Sequence, residues 1–116
     1  MMRSLVPIAS VLVASFLLTA ACGPHAKQEP LDSARWKAAP LYGTDETRLH
    51  MLDDAEKRIR GMKRADVEAL LGPQSDPAYF KGWDLRYWLG PNDLDSWWLL
   101  IKLRDGVVTE LRVASD

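Results

Sequence analysis

The chain has one cysteine, two histidines and almost no net charge. Each scarcity excludes something. A single cysteine, Cys22, rules out an intrachain disulfide. A formal net charge of −1 leaves no basic footprint for nucleic acid. There is no Gly-rich phosphate loop and no metal-spaced set of Cys and His. Internal repeats and low-complexity tracts are absent as well. What remains is ordinary globular material, 47% hydrophobic and 27% charged. At 116 residues it suits one small domain.

The first residues read as a targeting segment rather than as part of a fold. Met1-Met2-Arg3 is a short basic start, and Leu5 to Ala21 carries no charge. Small residues, Ala20 and Ala21, precede Cys22. This is the layout of a secretory signal peptide, residues 1–21. The competing reading is a retained anchor helix. The run is at the short end for that, since a span needs about 20 apolar residues, and Pro7 sits near its start. The segment before Cys22 resembles a bacterial lipobox, although Thr19 stands where Leu is usual and Leu18 is one place further out. The resemblance implies a diacylglycerol thioether at Cys22, which becomes the mature N-terminus. Two or three acyl chains anchor a protein firmly, at about 0.8 kcal/mol per buried CH₂. A plain signal peptide cut nearby would instead leave a free thiol. Gly23, rather than Asp, follows the cysteine, which points to the outer membrane.

From residue 22 to 43 apolar residues are sparse and aperiodic, with Pro24, Pro30, Pro40 and Gly43 as punctuation. The expectation is an extended tether. Trp36, Leu41 and Tyr42 are its exceptions and are expected to fold back on the domain. The domain, residues 44–116, opens with a helix expected over 44–59. Thr44 is its candidate cap, Asp45 and Glu46 lie in its first turn, and Leu49, Leu52, Ala55 and Ile59 form one stripe. Gly61 stops it. A second short helix carries Met62, Val67, Leu70 and Leu71 on one face, then ends at Gly72-Pro73. Residues 74–82 read as a polar loop.

Three strands follow, each alternating with period two. Trp83, Leu85, Tyr87 and Leu89 share a face in the first, Trp97, Leu99, Ile101 and Leu103 in the second, and Val107, Thr109, Leu111 and Val113 in the third. The first hairpin, turning at Gly90–Asp93, places Trp88 beside Trp98 and Arg86 beside Leu100. For the second, a two-residue turn at Asp105-Gly106 would set Ile101 against Glu110 and Leu99 against Arg112. A three-residue loop sets Leu99 against Leu111 and keeps all apolar residues together, so that register is preferred. Trp83 and Trp97 are then expected in the core under the helices. Trp88, Trp98 and Leu100 fall on the other face with Arg86, Arg112 and Glu110. Mixed aromatic and basic surfaces of this kind are enriched at protein interfaces. The alternative is that the tether covers this face through Trp36 or Tyr42.

The succession of a helix, G-M-K-R-A-D-V-E-A-L-L-G-P, a loop, W-x-L-x-Y and a strand hairpin with D-G-V-V resembles the outer membrane lipoproteins of the BamE (SmpA/OmlA) family. The resemblance spans about residues 44–114. Gly61, Met62, Val67, Leu71, Gly72, Trp83 and Tyr87 match its structural positions. Lys63 departs from it, standing where Ser or Thr usually caps the second helix, and Gly72-Pro73 lacks an intervening residue. The resemblance implies an α+β fold, two helices packed on one face of a three-stranded antiparallel sheet, as also found doubled in proteinaceous β-lactamase inhibitors. It also implies a part in the machinery that inserts β-barrels into the outer membrane.

Catalysis finds no constellation in the sequence, and no cofactor is implied. His50 with Asp53 and Asp54 gives two helical-spaced ligands and no third, which reads as a solvated face. The expected function is therefore non-enzymatic. The chain reads as a lipid-anchored periplasmic scaffold that binds a protein partner, with Trp88, Trp98, Leu100, Arg86 and Arg112 as the contact face. Two alternatives stand beside it: a modulator of a periplasmic enzyme, acting through that face or the Gly90–Asp95 turn, and an anionic-headgroup binder using Arg86 and Arg112.

Overall fold

Period-two alternation over residues 85–113 becomes one antiparallel sheet in the computed structural model, which describes residue 24 and residues 26–116. The strands are β1 (Leu85–Asn92), β2 (Asp95–Arg104) and β3 (Val107–Ser115), in the order β1-β2-β3. Among the described residues three helices accompany them: α1 (Ser33–Ala38), α2 (Leu52–Ile59) and α3 (Arg64–Leu71), with a 3-10 turn at Leu49–Met51 leading into α2. The fold is α+β, with helices packed on one sheet face. The apolar run, Cys22 and His25 lie outside the described residues. Among the described residues, no helix is long and apolar enough to cross a membrane.

The core forms where the stripes meet. Leu52, Ala55 and Ile59 of α2, Leu49 just before it, and Val67 and Leu71 of α3 are buried against Leu85, Tyr87, Leu89, Leu99 and Ile101. Both expected stripes are therefore the inner faces of their helices. The first helix is shorter than its periodicity suggested. The Asp45 carboxylate takes the Thr47 amide at 3.0 Å, closing a local turn that competes with helix. Helical hydrogen bonding starts only near Leu49, and Thr44 caps nothing. Asp53 and Asp54, rather than Asp45 and Glu46, occupy the first turn of α2. Lys63 at the head of α3 gives no side-chain cap, as its departure from the family pattern implied. Gly72 ends that helix in the left-handed region, φ 82°.

The largest correction concerns the tether. Residues 33–38 are helical, capped by Asp32, whose carboxylate accepts from the Arg35 amide at 3.1 Å. Leu31 and Trp36 belong to the core, and Trp36 has no solvent exposure. Its ring meets Tyr87 edge-on, 6.5 Å between centroids. A reading of 22–43 as an extended tether therefore fails for at least residues 31–39. Burial of the indole is a large part of what holds this segment down: truncating such a ring costs about 3–5 kcal/mol. Of the other two tether residues, Leu41 is 41% exposed and Tyr42 77%. Neither joins the helix-side core.

Register holds in one hairpin and shifts in the other. Between β1 and β2, Trp88 pairs with Trp98, Arg86 with Leu100 and Tyr87 with Leu99, as expected. A bulge after Trp88 then lets β1 continue through Gly90 and Pro91, so the turn falls at Asp93-Leu94. Between β2 and β3 the turn is the two-residue Asp105-Gly106, with φ of 55° and 76°. Its apparent conflict with patterning is removed by a bulge beyond Leu103, after which Ile101 faces Leu111 and Leu99 faces Val113. The apolar residues do share a face, but two places along from the expected register. Val108, rather than Val107, is the buried residue at the turn.

Candidate functional site

The second apolar cluster lies on the sheet face away from the helices. Trp88, Trp98 and Leu100 form its centre. Alternation in β1 and β2 put them there, so their shared sheet face was legible. Their accessibility was not. Residues 73–84 fold over them, and Phe80 and Trp83 pack against the cluster. Tyr79 stacks on Trp98, with 5.0 Å between ring centroids and 24° between planes. The cover is therefore the loop expected to be merely polar, not the tether through Trp36 or Tyr42. Trp83 is corrected accordingly. It precedes β1, escapes the strand alternation and joins the outer face instead of the helix-side core. Trp97 does pack against the helix side.

Hydrogen bonds hold this loop on the outer edge of β1. The Ser75 amide donates to Arg86 O at 2.8 Å, and the Trp88 amide donates to Ser75 Oγ at 2.9 Å. Arg86 works for the loop as well. Its Nη1 donates to Gln74 Oε1 at 3.1 Å and its Nη2 to Trp83 O. Its Nε is buried without a partner. Arg86 is thus a clamp beneath the loop rather than an exposed contact. Arg112 is exposed, with its guanidinium 5.8 Å from the Trp83 ring, and Lys102 lies 5.3 Å from the same ring. The five sequence-nominated residues do share one face, but Trp88, Trp98, Leu100 and Arg86 are largely covered and only Arg112 is broadly exposed.

Sequence reasoning missed Arg48, which is 3% exposed and forms no ion pair with a carboxylate among the described residues. Burial pushes its pKa down from 12.5 to about 10. Nε donates to Trp36 O at 3.0 Å and Nη1 to Trp88 O at 3.2 Å. The guanidinium also lies 5.0 Å from the Trp36 ring. One side chain thereby ties α1 to the outer edge of β1. A helix-face arginine among many charged neighbours carried no signal of this.

Where the loop ends, the outer face opens into a cleft of about 380 Å³. Its walls include Leu41, Tyr79, Trp88 and Trp98, and Asp76 and Asp116 stand at its sides. Asp116 is fixed: Oδ1 accepts from the Ser96 amide at 2.8 Å and Oδ2 from Trp98 Nε1 at 3.2 Å. Asp76 Oδ1 accepts from the Ala78 amide at 2.8 Å. No Lys, Arg or His lines the cleft. Volume and lining suit a small ligand or an inserted side chain.

Chemistry of other kinds finds less support. Among the described residues, no three His, Cys, Asp or Glu side chains are grouped to hold a metal. His50 Nδ1 lies 2.7 Å from Lys27 O, while Asp54 Oδ2 accepts from the Leu31 amide at 2.7 Å. The two helical-spaced residues are engaged separately. No family model, curated protein or solved structure matches the chain.

Proposed function

We propose that this chain is a lipid-anchored periplasmic scaffold protein, acylated at Cys22 on the outer membrane. Its role is to bind another protein, in outer membrane protein assembly or in envelope integrity. The sequence resemblance to BamE-type lipoproteins points to that setting. The observation that carries the binding role is the cleft beside Tyr79 and Trp98, with its half-exposed rim at Leu41. Tyr79, 45% exposed and stacked on Trp98, offers a partner an aromatic surface with little further ordering. Tyr42, the next residue in the chain after Leu41, is 77% exposed.

The test is capture by tagged full-length protein after gentle solubilisation of the envelope, wild type beside Leu41→Asp/Tyr42→Asp. Both residues are exposed, so the variant keeps its core. Barrel-assembly components held by the wild type and lost by the variant support the reading. Equal capture by both contradicts it.

One observation favours a second reading, an enzyme modulator. Leu94 is fully exposed at the tip of the β1–β2 hairpin. A lone apolar side chain on a turn is suited to entering another protein's cleft. Inhibition of a soluble periplasmic enzyme, abolished by Leu94→Asp, would support that reading over the scaffold.

A further inference from the structure

Trp88, Trp98 and Tyr79 bring three aromatic rings to one cleft, and both charged residues lining it are acidic. Asp116 already accepts two hydrogen bonds, from Ser96 N and Trp98 Nε1. A carboxylate offers about four acceptor positions, so capacity remains. Among the described residues, Asp76 uses only Oδ1, on Ala78 N, and its Oδ2 accepts nothing. The three ion pairs among the described residues all lie elsewhere, at Arg35–Glu29, His50–Glu46 and Arg64–Glu68. Among the described residues, neither carboxylate therefore has a neutralising partner.

Aromatic walls with unneutralised carboxylates select one kind of guest. An anion is repelled by both acids. A plain apolar side chain would bury carboxylate oxygens without partners, which is costly. A guanidinium or ammonium satisfies both features. Its charge and N–H donors face the carboxylates, and its flat or methylene part lies against the rings. We propose that the cleft receives a cationic side chain, arginine or lysine, presented by the partner protein, with Asp76 and Asp116 as its charge partners. The proposal rests on the protein-binding reading above and narrows it: the partner's contact segment is basic where it enters this cleft.

Trp98 Nε1–H supplies a local reporter, because it donates to Asp116. The full chain, labelled with nitrogen-15 in detergent micelles, is titrated with a blocked Gly-Arg-Gly peptide and with its uncharged citrulline counterpart. The Trp98 indole cross-peak is assigned by its loss in Trp98→Phe. The arginine peptide is expected to move that peak saturably, and the citrulline peptide to bind at least about tenfold more weakly, since losing a charge-assisted hydrogen bond is worth that much or more. Asp76→Asn and, separately, Asp116→Asn should each weaken the arginine response by roughly tenfold. Asn can still accept from Ala78 N, and unchanged positions of the remaining indole peaks establish that each variant is folded. Equal titration by the two peptides overturns the proposal. So does an unmoved Trp98 peak at tens of millimolar peptide, or an unweakened response in both folded variants. Failure here alongside partner capture that depends on Leu41 and Tyr42 removes the cation site and leaves the scaffold reading. Success here with no captured partner does the reverse.

Discussion

Tyr79 lies nearly parallel to Trp98, their ring centroids 5.0 Å apart. A loop residue thereby roofs a strand residue that alternation alone would leave facing solvent. Tyr79→Ala should lower stability by about 0.5–1.5 kcal/mol beyond the area lost. It should also shift tryptophan emission to the red as Trp98 becomes wet. Tyr79→Phe should do neither. Urea denaturation followed by fluorescence measures both effects.

Trp36 gives a sharper pair of variants. Its indole Nε1 is buried with no partner, so the ring contributes bulk rather than a hydrogen bond. Trp36→Ala should cost about 3–5 kcal/mol. Trp36→Phe, which keeps an edge toward Tyr87, should cost much less. Similar losses in both would show that the N–H matters after all.

Arg48 is a buried cation held by carbonyls alone. Arg48→Ala removes a donor from Trp36 O, which keeps the Ala39 amide, and the donor of Trp88 O, at about 1–3 kcal/mol for the carbonyl left unpaired. The destabilised variant should lose protection of α1 first. Hydrogen exchange at the Trp36 and Ala39 amides, which bond within that segment, reads this directly.

Gly90 has no room for a methyl group. A Cβ there would lie 2.6 Å from Leu49 Cδ1 and 3.2 Å from Asp45 O. Gly90→Ala should therefore destabilise by about 1–3 kcal/mol. Added to Leu49→Ala, which empties the space, it should cost less than it does alone. A double-mutant cycle by chemical denaturation gives the coupling.

Glu56 supplies a pH dependence. Burial raises its pKa above 4.5, opposed by Arg60 and reinforced by Asp53. The folded state then keeps its proton at pH values where the unfolded chain has lost it. That contribution is fully present below the unfolded pKa and is lost as pH rises through the folded one. Glu56→Gln should accordingly raise Tm at neutral pH, with the gap closing toward about pH 4, the unfolded carboxylate range. Thermal melts of the two proteins across this range check the sign.

Much of the sheet could be read from sequence because period two assigns each strand residue a face. The Trp88–Trp98 and Arg86–Leu100 pairs are instances. Bulges do not announce themselves in that pattern. Those after Trp88 and beyond Leu103 moved both turns while leaving the faces nearly unchanged. The six-residue α1 is too short to show helical periodicity, so Leu31 and Trp36 looked like isolated apolar residues in a linker. The candidate site was half legible for a similar reason. Its floor sits on strands, but its roof and acidic sides come from a loop and from Asp116, which patterning does not place. Tyr79, Phe80 and Trp83, three rings within a stretch taken as polar and its border, were the available signal.

The proposed partner surface is the outer-face cleft rather than the helical face. A photo-crosslinking residue placed at Leu41, on the cleft rim, is compared in cells with one at Lys57, exposed on α2 across the sheet. The account predicts a discrete protein adduct from position 41 and none from position 57. An adduct from 57 with none from 41 would contradict it.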